Sequence, residues 1–271
     1  MKRRLVTDEL WKRAEPLIPK PPPDPRGGRP RADDRLCLAG IVFVLKTGIQ
    51  WGELPGELGV SGSTCWRRLR DWKEAGVWDR LLEELLAELN AHGRLDLSLA
   101  VVDSASVRAL KGGERPGPNP TDRGKNGSTH HTHDQDGTDR NGVPIVVETT
   151  AANVNDGTRL IDLVDAIPPI RGRVGAPRRR PRAVVADKAY HSRERVVSLW
   201  IRGIEPRLPE RGKPDGRGLG KVRWVVERTL SWLHQFRRLR TRWERRSDIH
   251  QAFLTLAAAI ICLGKLPGVG F

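Results

Sequence analysis

Three acidic residues carry the chemistry open to this sequence. Asp103 follows the apolar run 97–102, Asp187 closes the apolar run 183–186, and Glu227 lies inside the segment 221–246. In that segment apolar residues recur at 222, 225, 226, 229/230, 233 and 236, the three-to-four spacing of an amphipathic helix. Arg223, Glu227, Ser231, His234 and Arg238 fall on another face, so one carboxylate stands in a row of basic and hydroxylic neighbours. An ion-paired surface would explain that row alone. If the two strands are neighbours and the helix packs across them, however, three carboxylates meet at one end of a sheet. Clustered carboxylates repel and raise one another's pKa, which makes sense chiefly where divalent cations neutralise them. Hard oxygen ligands open to solvent favour Mg2+ or Mn2+.

The elements that must position these groups follow from caps and periodicity. Residues 1–95 read as helical: a first helix capped within 7–9, a basic Pro/Gly arm at 20–32, and helices over 36–46, 64–75 and 77–92. The turn at 60–63 before a basic helix gives a helix-turn-helix outline, with Arg67, Arg68, Arg70 and Lys73 as the DNA-facing set. From residue 96 strands alternate with helices: strands 97–102, 143–150, 183–187 and an edge strand 204–208, helices 158–166, 192–202, 221–246 and an apolar core helix 249–263. This alternation implies an α/β fold with a mixed sheet covered by helices. Residues 111–128 read as a flexible loop, and 129–142 are too polar for a central strand. His130, His131 and His133 are ligand types, but neither zinc spacing nor a calcium-loop pattern is met.

Charge sets the partner. The 271-residue chain has a net charge of +15, and residues 171–246 hold 23 Lys/Arg against 7 Asp/Glu, so the basic surface belongs to one segment. Basic clusters interleaved with Trp200, Trp224, Trp232 and Trp243 suit a groove that tracks phosphates. Cys37, Cys65 and Cys262 are far apart in apolar contexts and read as buried free thiols of a reducing compartment. Lys2, Arg3 and Arg4 are not followed by an apolar stretch, and the apolar run 253–263 is shorter than the roughly 20 residues a bilayer needs. The expectation is a cytoplasmic protein without a membrane segment.

Several motifs together resemble the DDE transposases of bacterial insertion sequences, in the "IS-five" branch of the "IS-four" group. They are Asp-Ser-Ala-Ser-Val-Arg at 103–108, Arg-Gly-Lys-Asn-Gly-Ser at 123–128, Ala-Asn-Val-Asn-Asp at 152–156, Ala-Asp-Lys-Ala-Tyr at 186–190 and Val-Arg-Trp-Val-Val-Glu-Arg-Thr at 222–229. Gly-Arg-Pro at 28–30 and the 47–55 run are similar to the family's N-terminal DNA-binding region, so the resemblance spans nearly the whole chain. It implies a ribonuclease H-like catalytic domain over 96–271 behind a helical DNA-binding domain over 1–95. Asp103, Asp187 and Glu227 would then be the catalytic metal ligands, with two Mg2+ or Mn2+ ions. Arg223, Arg237 and Arg238 would hold phosphates of double-stranded DNA, both terminal inverted repeats and target, in a homodimeric complex. Around the glutamate, Arg223 fits the family signature, whereas Gly220 stands at its tyrosine and His234 at its lysine. Two other readings remain: a catalytically impaired copy acting as a DNA-binding protein or repressor, suggested by the polar run, and a nuclease relative acting on RNA.

Overall fold

The computed structural model describes residues 5–20, 30–114, 117–118, 130–151, 154, 156–210, 212 and 219–269; at 117, 118, 130–134, 156 and 219–223 it describes the main chain only. Most of the arm at 20–32 and of the loop at 111–128 lies outside these residues.

The N-terminal helices begin where side-chain caps are available. Thr7 Oγ1 accepts from Leu10 N to start α1 (Asp8–Ala14), Asp33 Oδ1 accepts from Leu36 N at 2.8 Å to start α2 (Asp34–Thr47), and Ser61 Oγ accepts from Thr64 N to start α3 (Gly62–Glu74). Gly48 ends α2 at a φ of 75°, a left-handed position that favours glycine. Gly62 is fixed by packing, since a Cβ there would lie 1.7 Å from the Trp51 carbonyl oxygen. The helix α4 (Val77–Ala91) buries Trp78, Leu81, Leu85 and Leu89 along one stripe. Trp72 of α3 meets Trp78 edge-on at 5.7 Å.

The sheet has seven strands: β1 (Ala100–Ala109), β2 (Gly117–Pro118), β3 (His130–Asp139), β4 (Pro144–Ala151), β5 (Ala183–Val185), β6 (Glu205–Arg207) and β7 (Thr241–Arg242). Its order is β2-β3-β1-β5-β6, with β4 also on β3 and β7 also on β1. The β1–β3 and β3–β4 pairs are antiparallel, while β5 runs parallel to both β1 and β6. Three antiparallel strands followed by two parallel ones, flanked by α5 (Leu160–Asp165), α6 (Arg193–Ile201), α7 (Leu219–Gln235) and α8 (Ser247–Gly264), give the ribonuclease H-like mixed α/β fold.

Three expectations are corrected. The run 129–142 is not an exposed segment: β3 is a ten-residue strand between β1 and β4, and Gln135, Asp136, Thr138 and Asp139 are fully buried. Its two hydrogen-bonded neighbours and tertiary cover outweigh intrinsic strand preference. The first strand does not stop before Asp103 but continues to Ala109, so Asp103 sits inside it. The helix expected over 221–246 stops at Gln235; a 3-10 turn (Arg237–Leu239) and β7 follow.

The apolar core is continuous from Leu10 in α1 through Leu85 in α4 and Val101 in β1 to Phe253 in α8. By length and mean hydropathy (1.4) α8 could cross a membrane, yet 72% of it is buried as it packs on α3, α4 and β4. Each large aliphatic or aromatic side chain removed from water there contributes roughly 1.5–3 kcal/mol. Cys37, Cys65 and Cys262 are all buried free thiols, as expected.

Candidate active site

The parallel β1–β5 ladder pairs Ala100 with Val184 and Val101 with Val185. Asp103 lies two residues beyond the last pair on β1, and Asp187 two residues beyond it on the β5 side. Asp103 is half-buried, and its Oδ1 accepts from Ser104 N at 2.9 Å. Asp187 lies just past β5, and its Oδ1 accepts from Ala189 N at 2.8 Å, capping a 3-10 turn (Lys188–Tyr190). That bond holds the carboxylate at the mouth of the strand.

The helix α7 packs across β1, β3 and β5 through Val225, Val226, Thr229, Leu230 and Leu233. Glu227, about 100° around the helix from fully buried Val226, is exposed at the edge of that stripe. The three predicted carboxylates are thus carried by β1, by the turn that follows the adjacent β5, and by the helix packed on both strands. They are not gathered into a closed cage: among the described residues no three Asp, Glu, His or Cys side chains lie close enough to hold one ion. In chemistry the donors suit a divalent cation, being hard, anionic and partly open to water.

Sequence reasoning missed two carboxyls beside this site. Asp136 pairs directly with Asp103 across the β1–β3 ladder. Burial, and then the charge of Asp103, push its carboxyl well above the usual range, and neither oxygen has a hydrogen-bond partner among the described residues. Asp139 closes the β3–β4 hairpin by accepting from Asp96 N, Asn141 N and Val143 N at 2.7–2.9 Å. Burial lifts its carboxyl to about 6 even so. The sequence signal for this turn was Asp139-Arg140-Asn141-Gly142, with Gly142 at a φ of 76°. Asp136 had no such local signal.

A ladder of cations and indoles runs along another edge of α7. The Arg228 guanidinium lies 4.3 Å from the Trp224 ring and 4.7 Å from the Trp232 ring, and Lys265 of α8 lies 4.2 Å from Trp232. Arg228 Nη2 also donates to the Asn141 carbonyl at 2.9 Å, which ties α7 to the β3–β4 turn.

The predicted DNA-facing residues divide. Arg67 and Arg237 are exposed. Arg68 turns toward Asp34 at 3.2 Å, Arg70 pairs with Asp71 at 2.7 Å and stacks near Trp66, and Lys73 pairs with Asp79 at 2.8 Å. The Arg223 side chain lies outside the described residues. Arg238 must be withdrawn as a phosphate ligand. It is 4% exposed, it is paired with buried Glu244 at 2.6 Å, and it donates to the Gly48 and Ile49 carbonyls. The 3-10 turn after α7 points it into the protein.

Residues 94–262 match the family model "Transposase DDE domain", and residues 6–82 match "Putative transposase of IS4/5 family". The chain is 55% identical over 155 residues to "Putative transposase for insertion sequence element IS402" of Burkholderia cepacia, covering 57% of this chain and 72% of that protein. It is 32% identical over 120 residues to "Uncharacterized protein y4sN" of Sinorhizobium fredii (strain NBRC 101917 / NGR234), covering 41% and 89%. Among solved structures, "Mos1 transposase paired-end complex with left transposon end" aligns over 90% of this chain and 82% of its own at 16% identity, with a TM-score of 0.29, too low to build on. On the matched catalytic region and the IS402 relative, the chain belongs to the DDE transposases of IS4/5 type.

Proposed function

We propose that this transposase cleaves DNA at the ends of its insertion sequence and transfers the freed strands to target DNA, with Asp103, Asp187 and Glu227 as its catalytic carboxylates. The observation that supports the reading is the placement of Asp103 in β1 and Asp187 just past the adjacent parallel β5, with the helix that bears Glu227 packed on both strands, all within the matched DDE region. The three side chains would hold Mg2+ or Mn2+, two ions per site. Bound there, the ions would supply charge neutralisation at the phosphoryl oxygens and lower the pKa of the attacking water or DNA 3′-hydroxyl. The protein itself contributes no covalent nucleophile. Its carboxylates fix the acceptor geometry, and its basic side chains, Arg67 and Arg237 among them, hold the phosphates through contacts that weaken as salt rises.

In this reading residues 1–95 bind the terminal repeats, residues 96–271 perform the chemistry, and two copies bring the two ends together in the cytoplasm. The polar run that favoured an impaired copy is folded into the sheet as β3, which removes the reason for that alternative. The reading is tested with a duplex carrying the terminal inverted repeats and one with scrambled ends. Mg2+-dependent cutting at the repeat ends alone is expected. Binding without cutting under any divalent ion would overturn it.

A further inference from the structure

The segment 171–182 contains six arginines and no acidic residue, and all of it except Pro181 is exposed. Several arginines elsewhere on the described surface have carboxylate partners, among them Arg13 with Glu88, Arg202 with Asp165 and Arg246 with Asp248. Among the described residues none of the six in this segment is paired with a carboxylate within 4 Å. Six unpaired like charges on one short segment repel each other, a cost that a polyanion would relieve.

The segment is braced, which separates it from an ordinary basic loop. Ile170 and Arg178 exchange two main-chain hydrogen bonds at 2.8 and 3.0 Å. Asn90 Nδ2 donates to the Arg171 carbonyl, and Arg173 Nε donates to the Asn90 carbonyl, anchoring it to α4. Arg182 N donates to the Leu97 carbonyl, and the Arg182 carbonyl accepts from Glu205 N. A ligand meeting these guanidiniums therefore does not have to order the main chain that carries them.

Between this segment and the residues leading into β1 lies a groove of about 530 Å³ lined by Arg178, Arg179, Arg180, Arg182, Asp96 and Ser98. One Asp96 oxygen is occupied by Ser98 N at 2.8 Å. The Ser98 hydroxyl is buried and has no hydrogen-bond partner among the described residues, which leaves a spare donor in the lining, while Arg180 Nη1 donates to the Arg202 carbonyl at 2.8 Å. This donor set matches a phosphodiester backbone, which offers anionic oxygens and no donors.

We infer that this groove is a second DNA-backbone site, separate from the carboxylates and engaging DNA that extends past the reacting phosphate. Arg182 enters β5 at one end and Asp187 leaves it at the other. Five residues of extended chain span roughly 16 Å, so one duplex touching both places must run on for about 5 base pairs at 3.4 Å each. The inference rests on the proposed DNA activity but can fail without it.

The test compares wild type with the triple variant Arg178→Ala/Arg179→Ala/Arg182→Ala, whose side chains make no hydrogen bond to other described residues, and with the matching triple lysine variant. Thermal melting checks that all three are folded. On a 40-base-pair duplex the dependence of log K on log salt should be shallower in the alanine variant by about 2.7, three phosphate contacts at 0.9 each. Wild type then loses about 40-fold more affinity than the alanine variant between 50 and 200 mM salt. The lysine variant should keep the wild-type slope, and a short duplex ending at the cleaved phosphate should be bound and cut equally by all three. Equal slopes on the long duplex, with wild type still binding and cutting, would overturn this inference alone. Failure of wild type to bind either duplex would overturn the DNA reading as well.

Discussion

Asp103 and Asp136 face each other across the β1–β3 ladder, one half-open to solvent and the other fully buried. The buried carboxyl is pushed well up by its burial and by the charge of Asp103, both of which favour its neutral form. Asn has nearly the shape of a neutral carboxylic acid. Asp136→Asn should therefore melt at or above the wild-type temperature at pH 8. A fall of more than about 4 °C, roughly 1–2 kcal/mol for a chain of this size, would mean that the carboxylate is charged and in use.

Arg237 and Arg238 are neighbours in sequence and opposites in role. Arg238→Ala leaves Glu244 buried without its cation and strands two carbonyls, which should cost about 3–5 kcal/mol in urea unfolding. Arg237→Ala changes an exposed side chain and should leave stability within about 0.5 kcal/mol. Equal stability losses in the two variants would contradict the inward orientation of Arg238.

Asp139 gives the fold a pH dependence of unusual sign. Its folded pKa of about 6 lies above the unfolded value near 3.8, because burial outweighs the three amide donors and Lys265. The native state therefore holds this proton more tightly. Its contribution is full below about pH 4 and is lost as pH rises through 6. Between pH 5 and 7 wild type should lose about 1 kcal/mol that Asp139→Asn does not lose, measured by urea unfolding of both proteins. Parallel stability curves would refute it.

Arg228 is expected to act as a tie between α7 and the β3–β4 turn. Arg228→Ala removes its hydrogen bond to Asn141 and its contacts with two indoles, and should cost about 2 kcal/mol with the circular dichroism spectrum unchanged. Loss below about 0.5 kcal/mol would show that the ladder is loose.

What the sequence disclosed, and what it hid, depends on whether the signal was local. Thr7 and Asp33 start helices with side chains that bond within three residues, so those starts were legible, whereas the helix capped by Ser61 begins at Gly62, inside the run read as a turn. Apolar runs with strand spacing revealed β4 and β5 in the same way. The strand β3 was not legible, because what makes its polar residues tolerable lies elsewhere in the chain: Asp139 is satisfied in part by Asp96 N, 43 residues away. Arg238 was misread for a related reason. The helix was extended past Gln235, and only the turn that replaces it shows which arginine faces inward. The carboxylates were chosen by residue type and position after apolar runs, and the condition that choice set, that the two strands be neighbours, is met by the β1–β5 pair.

The central claim is that Asp103, Asp187 and Glu227 act together, and Glu227 is its most exposed member. The direct measurement is strand nicking of a duplex bearing the terminal repeats, with Mg2+, by wild type and Glu227→Gln at saturating protein. The account predicts unchanged DNA binding and a loss of nicking of roughly 10^2- to 10^3-fold, the scale expected when a group stabilising transition-state charge is removed. Nicking by Glu227→Gln at the wild-type rate would contradict it.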